Sequence, residues 1–311
     1  MKNKKTVIIL LFLMMISLTG CTKILKNSEN KNVQNTITGQ SLVENILCHP
    51  EDETTIELYN QNNVDLSKLP RCEEFKITSG GYEGIWTTIF VKPLAWIIIK
   101  VGELVNSSAL AIIIITLAIR LLLYPVTQKT AMQSENIKKA QPEIDKIEKK
   151  YKDKTDQESM ARKGQEMMLV YKKYNISPLS GCFFALIQIP LLFAFLEAIN
   201  RVPAIFEETF LGFQMGTTPF IALKNGEFLY LILIVLIIAT TYFSFKMNKS
   251  TATTSPEMQK QNNMMMWFMV VFIGFMSFQL SSAIAIYWIV SSEFTIFQNI
   301  ITDVLSKNKI K

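Results

Sequence analysis

A single arginine inside an apolar run constrains this chain more than any other feature. Residues 107–126 read Ser-Ser-Ala-Leu-Ala-Ile-Ile-Ile-Ile-Thr-Leu-Ala-Ile-Arg-Leu-Leu-Leu-Tyr-Pro-Val, and Arg120 is the sole charge among them. About 20 apolar residues rising ~1.5 Å each cross a hydrocarbon core of roughly 30 Å, so the run predicts a membrane-spanning helix. A guanidinium keeps its charge at every relevant pH, so it cannot be buried neutral as a lysine can. Holding one at the bilayer centre costs about 2.5–3.5 kcal/mol on insertion scales. Arg120 therefore faces water or a partner within the membrane, or it snorkels its head to the lipid phosphates from a position near the end of the run. Thr116, four residues earlier, falls on the same helix face and favours a polar stripe.

Four further apolar runs, at 183–199, 228–245, 266–280 and 283–301, bring the expected number of spans to five. With 49% hydrophobic residues and a mean hydropathy of +0.24 in 311 residues, the chain reads as an all-α polytopic membrane protein. The loop charges set its orientation. The segment 127–174 carries Lys129, Lys138, Lys139, Lys146, Lys149 and Lys150 among its many cations, and 246–261 and the tail 306–311 are also basic. The segment 201–226 instead holds Glu207 and Glu208 against only Arg201 and Lys224. By the positive-inside rule the N-terminus lies outside and the C-terminus in the cytoplasm. Helical spacing of Ile137, Ala140, Ile144, Ile147 and Tyr151, and a capping-box pattern at Thr155 and Glu158, make 128–174 a cytoplasmic helical hairpin. Met160, Met167 and Met168 are assigned to its inner face, as plain packing or as an adaptable apolar surface.

The first residues have the form of a secretory signal, with Lys2, Lys4 and Lys5 before a short apolar stretch. Leu18-Thr19-Gly20-Cys21 resembles a bacterial lipobox, which implies cleavage after residue 20 and a diacylglyceryl anchor on Cys21; a plain signal anchor is the alternative reading. Residues 21–81 then form a lipid-anchored extracytoplasmic segment, polar and partly disordered. Cys48 and Cys72 sit where a disulfide could persist, but two cysteines leave the bridge an open question. Residues 82–105 have helical apolar spacing interrupted by Pro93. They suggest an amphipathic helix in the outer interface, anchored by Trp86 and Trp96, or alternatively a packed helix of the ectodomain.

The spans carry more polar side chains than packing requires: Arg120, Thr116, Gln188, Ser291, Ser292, Glu293 and Gln298, near Tyr287-Trp288. Single Ser or Gln residues can bond between helices, but together with Arg120 they favour a hydrated cavity open to the cytoplasm. Function classes narrow by subtraction. His49 is the only histidine, and with Cys48 and Cys72 it falls short of a metal ligand set. No phosphate-binding loop, catalytic triad or paired intramembrane aspartate is present, so no cofactor, metal or enzymatic activity is expected. A transporter would call for inverted repeats, which are not visible.

Four motifs in order carry a family resemblance. They are Ile-Arg-Leu-Leu-Leu-Tyr-Pro-Val-Thr-Gln-Lys at 119–129, Gln-Pro-Glu-Ile at 141–144, Asn-Ile-Ser-Pro-Leu-Ser-Gly-Cys-Phe-Phe-Ala-Leu-Ile-Gln-Ile-Pro at 175–190, and Ala-Ile-Tyr-Trp-Ile-Val-Ser at 285–291. Over 84–303 the chain resembles the YidC-type membrane protein insertases of the Oxa/Alb family, in their Gram-positive lipoprotein form. The resemblance implies five helices around a hydrophilic groove open to the cytoplasm and bilayer, with Arg120, Thr116 and Trp288 at its substrate-contacting positions. It implies nascent membrane proteins, the Sec translocon and the lipid bilayer as partners, and the ribosome with only a short basic tail to meet it. Nucleic-acid sequence recognition is not expected. The chain departs from the family at Ser281-Ser282 and at Ser292-Glu293. Glu293, expected near Arg120 in depth, is expected to interact with it, or else to face the hairpin or snorkel. A small-molecule transporter or channel, and an assembly factor that does not insert its clients, remain the rival functions.

Overall fold

The structure, a computed structural model, describes residues 22–154, 156–176, 180–247 and 256–308. The expected signal sequence, Cys21 and Thr155 lie outside them. The chain divides into two compact units: one of Met1–Ile119, Leu186–Ile238 and Ile273–Ser291, the other of Arg120–Ala185, Ala239–Phe272 and Ser292–Lys311.

The first unit begins with the polar segment expected to be partly disordered. It has a core of its own, built from Leu25, Val33, Leu42, Val43, Ile46, Tyr59 and Leu66. Helix α1 (Glu53–Gln61) is capped by Asp52, whose carboxylate accepts from the Thr55 N–H at 2.8 Å. The Tyr59 hydroxyl donates to the Val43 carbonyl at 2.8 Å. Around α1 the chain is held by isolated bridges such as Ile24 with Val43 and Gln34 with Ser41. Bridges of this kind impose no repeat, which is why no periodicity marks the segment. Cys48 and Cys72 are joined in a disulfide, settling what the two residues alone left open. The bridge packs with Leu47, Phe75, Trp86, Ile98 and Ile99.

Residues 82–105 do form helix: a π-helical stretch over Thr87–Val91 leads into α2 (Lys92–Val105). Pro93 does not interrupt it. Pro93 is the second residue of α2, directly after the π-helical turn. Ile85, Ile89, Ile97 and Leu104 are exposed. Trp86 is not an interfacial anchor, however. It is 2% exposed, and its indole N–H donates to Glu197 at 3.1 Å. A buried indole needs an acceptor, and this one has it. Asn106, at φ +51°, ends α2 in the left-handed conformation that asparagine tolerates.

Helix α3 (Ser108–Lys150) runs 43 residues, about 65 Å at ~1.5 Å per residue. The first expected span and the first arm of the expected hairpin are thus one helix. It runs on past Val126, where the apolar run ends, although Pro125 and Pro142 lie inside. Membrane helices tolerate proline where neighbouring groups satisfy the freed carbonyls. At its start, Glu208 accepts from the Ser108 N–H and the Ser107 hydroxyl, both at 2.5 Å, putting negative charge at the positive end of the helix.

In the second unit the hairpin closes with α4 (Gln157–Lys173), capped by Asp156 through the Ser159 N–H at 2.8 Å. Its core is Ala140, Ile144, Ile147, Tyr151, Val170 and Ile176, with Met167 packed against it. Met160 and Met168 are exposed, so the inner-face assignment fails for both.

The remaining elements are α5 (Ser180–Asn200), a short α6 (Pro203–Phe206), the two-residue strands β1 (Thr209–Phe210) and β2 (Phe213–Gln214), α7 (Pro219–Lys224), α8 (Leu231–Met247), α9 (Pro256–Met276) and α10 (Ser282–Asn308). Strands β1 and β2 pair antiparallel, with Thr209 opposite Gln214 and Phe210 opposite Phe213. Among the described residues three stretches are long and apolar enough to span a membrane: Ser108–Gln128, Phe228–Met247 and Ser282–Thr302. Gln188–Asn200 and Asn263–Met276 are shorter apolar helices.

Candidate functional site

Arg120 is 6% exposed. Its side chain is enclosed by protein, whereas a snorkelling arginine extends outward. Around it the second unit reverses the pattern of a soluble protein. Thr127, Thr240, Thr241, Thr295, Gln298, Asn299 and Thr302 are all at most 8% exposed. Leu121, Leu122, Trp267, Phe268, Val271, Phe272, Phe297 and Val304 are all at least 49% exposed. Lipid tails are as apolar as leucine, so burying leucine gains little there and polar groups are the ones that need shelter.

Helix α10 shows how the sequence builds this interior. Thr295, Gln298, Asn299 and Thr302 recur at spacings of three and four, which places them on one face. The Gln298 amide donates to the Thr127 hydroxyl on α3 at 2.5 Å, and the Thr302 hydroxyl returns to the Gln298 carbonyl at 2.8 Å. Sequence reasoning took up Gln298 but passed over Thr127, Thr295, Asn299 and Thr302. The spacing from Gln298 alone would have found the three on α10. Ser292 is half-buried, and Glu293 is exposed. Among the described residues Glu293 makes no ion pair, so the expected contact with Arg120 is absent.

In the first unit, Thr116 is 1% exposed and its hydroxyl donates to the Ile112 carbonyl one turn back at 2.6 Å. Its polar group is therefore satisfied within its own helix. Gln188 and Trp288 are half-buried; Trp288 follows Tyr287, which stacks on Phe195 with ring centroids 4.5 Å apart, and Gln188 lies about two turns before Phe195.

The first unit also holds a cluster of charges that the sequence did not announce. Lys92 is fully buried and Arg201 is 1% exposed. The Glu83 carboxylate bridges them, meeting Lys92 at 2.9 Å and Arg201 through its second oxygen. Arg201 also reaches Glu197 at 3.2 Å and donates from Nε to the Asn45 carbonyl at 2.6 Å. Burial pushes the Glu83 carboxyl up, but Lys92 and Arg201 together outweigh it and hold it below the usual carboxylate range. Glu207 moves the other way. Burial raises its pKa, and the N–H groups of Asp52 and Glu51 that it accepts from only partly offset this. Among the described residues no three His, Cys, Asp or Glu side chains gather as a metal site.

Comparison with known proteins agrees with this arrangement. A family model described as "60Kd inner membrane protein" matches residues 100–309. The chain is 36% identical to the membrane protein insertase YidC of Oceanobacillus iheyensis over 224 residues, 70% of this chain and 84% of that one. It is 36% identical to YidC 2 of Bacillus anthracis over 217 residues, 69% of this chain and 80% of the relative. It is 34% identical to MisCA of Bacillus subtilis over 214 residues, 68% and 77% of the two chains. An arginine enclosed within an apolar helix, polar faces turned inward and these similarities lead to one conclusion: the chain belongs to the YidC family of membrane protein insertases.

Proposed function

We propose that the protein receives nascent membrane proteins in a hydrophilic groove among five helices and releases their apolar segments into the bilayer, alone or beside the Sec translocon. The observation that carries this reading is the enclosure of Arg120, at 6% exposure, within a helix apolar enough to span. A substrate hairpin has polar, often acidic, residues that must cross hydrocarbon. A fixed cation in a sheltered polar setting lowers that barrier by attraction, worth about 4 kcal/mol at 4 Å and an effective dielectric constant near 20. Arg120 supplies the charge, and Thr116, Gln188, Trp288 and Ser292 line the path. The substrate's apolar segment then partitions into lipid, so no nucleotide is required. The two short apolar helices thin the bilayer locally and shorten the crossing. Lipidation of Cys21 anchors the N-terminus outside, and the basic hairpin faces the cytoplasm, where it meets the incoming chain and the ribosome.

Photocrosslinking tests the path. A photoreactive residue at Trp288 is expected to capture a stalled single-span nascent chain, while one at lipid-facing Phe268 is not. Equal capture at both positions contradicts the groove. A transporter would instead show solute flux through purified protein in vesicles.

A further inference from the structure

One cavity of the first unit differs from its neighbour in carrying no charged lining. It encloses about 460 Å³, within the roughly 300–1,000 Å³ usual for small-molecule sites. Gln34, Gln40 and Ser41 line it from the N-terminal segment, with Asn200 from α5, Thr218 at the start of α7, and Gln279 and Ser281 just before α10. Every polar side chain in that lining is an amide or a hydroxyl. The adjacent cavity, about 380 Å³, is instead lined by Glu51, Asp52 and Glu207.

The chemistry of the lining selects its ligand. An ion entering the uncharged cavity would lose hydration without gaining a counter-charge. Amides and hydroxyls both donate and accept, so they match a ligand whose own groups do both. An extended peptide fits less well, because it binds through a free backbone edge. Here the backbone is already spent: the Thr218 N–H donates to Thr38, that of Phe220 to Phe278 and that of Ser282 to Thr217. Ser281 is 6% exposed, and its hydroxyl bonds to no protein atom, a costly state for a buried polar group. Beside these groups the aromatic ring of Phe220, 58% exposed, lines the cavity with Leu280 and Ile284. Amides for hydroxyl groups and a ring face for C–H groups are the two halves of a pyranose site.

We propose that this cavity binds a neutral sugar ring, as a glycolipid headgroup or as a free saccharide. The inference takes from the proposed function only that this unit lies at the outer membrane surface.

The test uses the full chain in nanodiscs of phosphatidylglycerol with and without a dihexosyl diacylglycerol, and counts retained lipid by native mass spectrometry. The glycolipid is expected to be retained at least about tenfold in preference to phosphatidylglycerol. Gln279→Leu and Phe220→Ala, both at exposed positions, are each expected to reduce retention roughly tenfold while the Cys48–Cys72 bridge still forms. Displacement by excess free disaccharide assigns the whole preference to the sugar; retention despite it assigns the ligand as lipid-borne. Equal retention of phosphatidylglycerol, or wild-type binding by both variants, overturns the proposal. Insertion is measured separately in the same preparations, so loss of either reading leaves the other intact.

Discussion

Gln298 on α10 and Thr127 on α3, 7% and 8% exposed, meet through a side-chain hydrogen bond of 2.5 Å. In water such a bond would compete with solvent and add little. In a lipid-facing unit, where Phe297 turns outward at 62% exposure one residue from Gln298, the alternative partner is hydrocarbon. The contact therefore reports the principle on which this unit is built: polar groups are matched to one another inside, and apolar ones are left to lipid.

Gln298→Leu is expected to lower stability in detergent by about 0.6 kcal/mol, the average for such bonds in membrane proteins, and by no more than about 1.7. Thr127→Val added to it should cost less than Thr127→Val alone, because the partner is already gone. Thermal unfolding of the four proteins in a double-mutant cycle checks this. Strictly additive losses contradict a direct contact.

The buried charges at Glu83, Lys92 and Arg201 make a larger prediction. Glu83→Gln leaves two enclosed cations without their shared counter-ion, a change that costs roughly 3–5 kcal/mol when a buried pair is broken. The pH dependence follows from the lowered pKa. The Glu83 contribution is complete above the ordinary carboxylate value of 4.5 and is lost as pH falls through the lowered folded value. Glu207 has the opposite sign: its contribution is complete below 4.5 and fades as pH rises through its raised folded value. Melting curves of Glu83→Gln and Glu207→Gln across pH should lose these two opposed slopes separately.

The Cys48–Cys72 bridge closes a separation of 24 residues beneath α2. Cys48→Ser is expected to destabilise the first unit by about 2–4 kcal/mol and to expose a Cys72 thiol to maleimide after mild denaturation. With Cys182 changed to serine in both proteins, the protein that keeps Cys48 should label at Cys72 only after reduction. Labelling of Cys72 in that protein before reduction contradicts the bridge.

Arg120 and the helical class were legible because charge and hydropathy repeat over long stretches, and lipid leaves few folds to choose from. The ion cluster was not. Its members lie at 83, 92, 197 and 201, and each alone resembles a solvated surface charge; only the fold brings them together. Trp86 was misplaced for a related reason, since its partner Glu197 is 111 residues away. Met160 and Met168 failed differently: methionine suits a core and an exposed surface alike, so the residue type carried no direction. Thr295, Asn299 and Thr302 were readable by spacing but lie among apolar residues that drew the eye to the opposite face.

The hairpin carries its own pH signature. Glu143 is held below its ordinary pKa by Lys173 and Tyr174, and Glu166 by Lys150 and Tyr151. Both pairs link α3 to α4 and contribute fully above the ordinary value of 4.5. As pH falls below that, amide hydrogen exchange in 140–176 should accelerate after correction for intrinsic rates. Glu143→Gln combined with Glu166→Gln should show the faster exchange already at neutral pH.

Substrate attraction by the enclosed guanidinium at position 120 is tested by complementation of an insertase-depleted strain with wild type, Arg120→Lys and Arg120→Ala accumulated to equal levels. Growth and insertion are expected with wild type, partial rescue with Arg120→Lys, and a loss of roughly tenfold or more in insertion with Arg120→Ala. Wild-type growth and insertion by Arg120→Ala would contradict it.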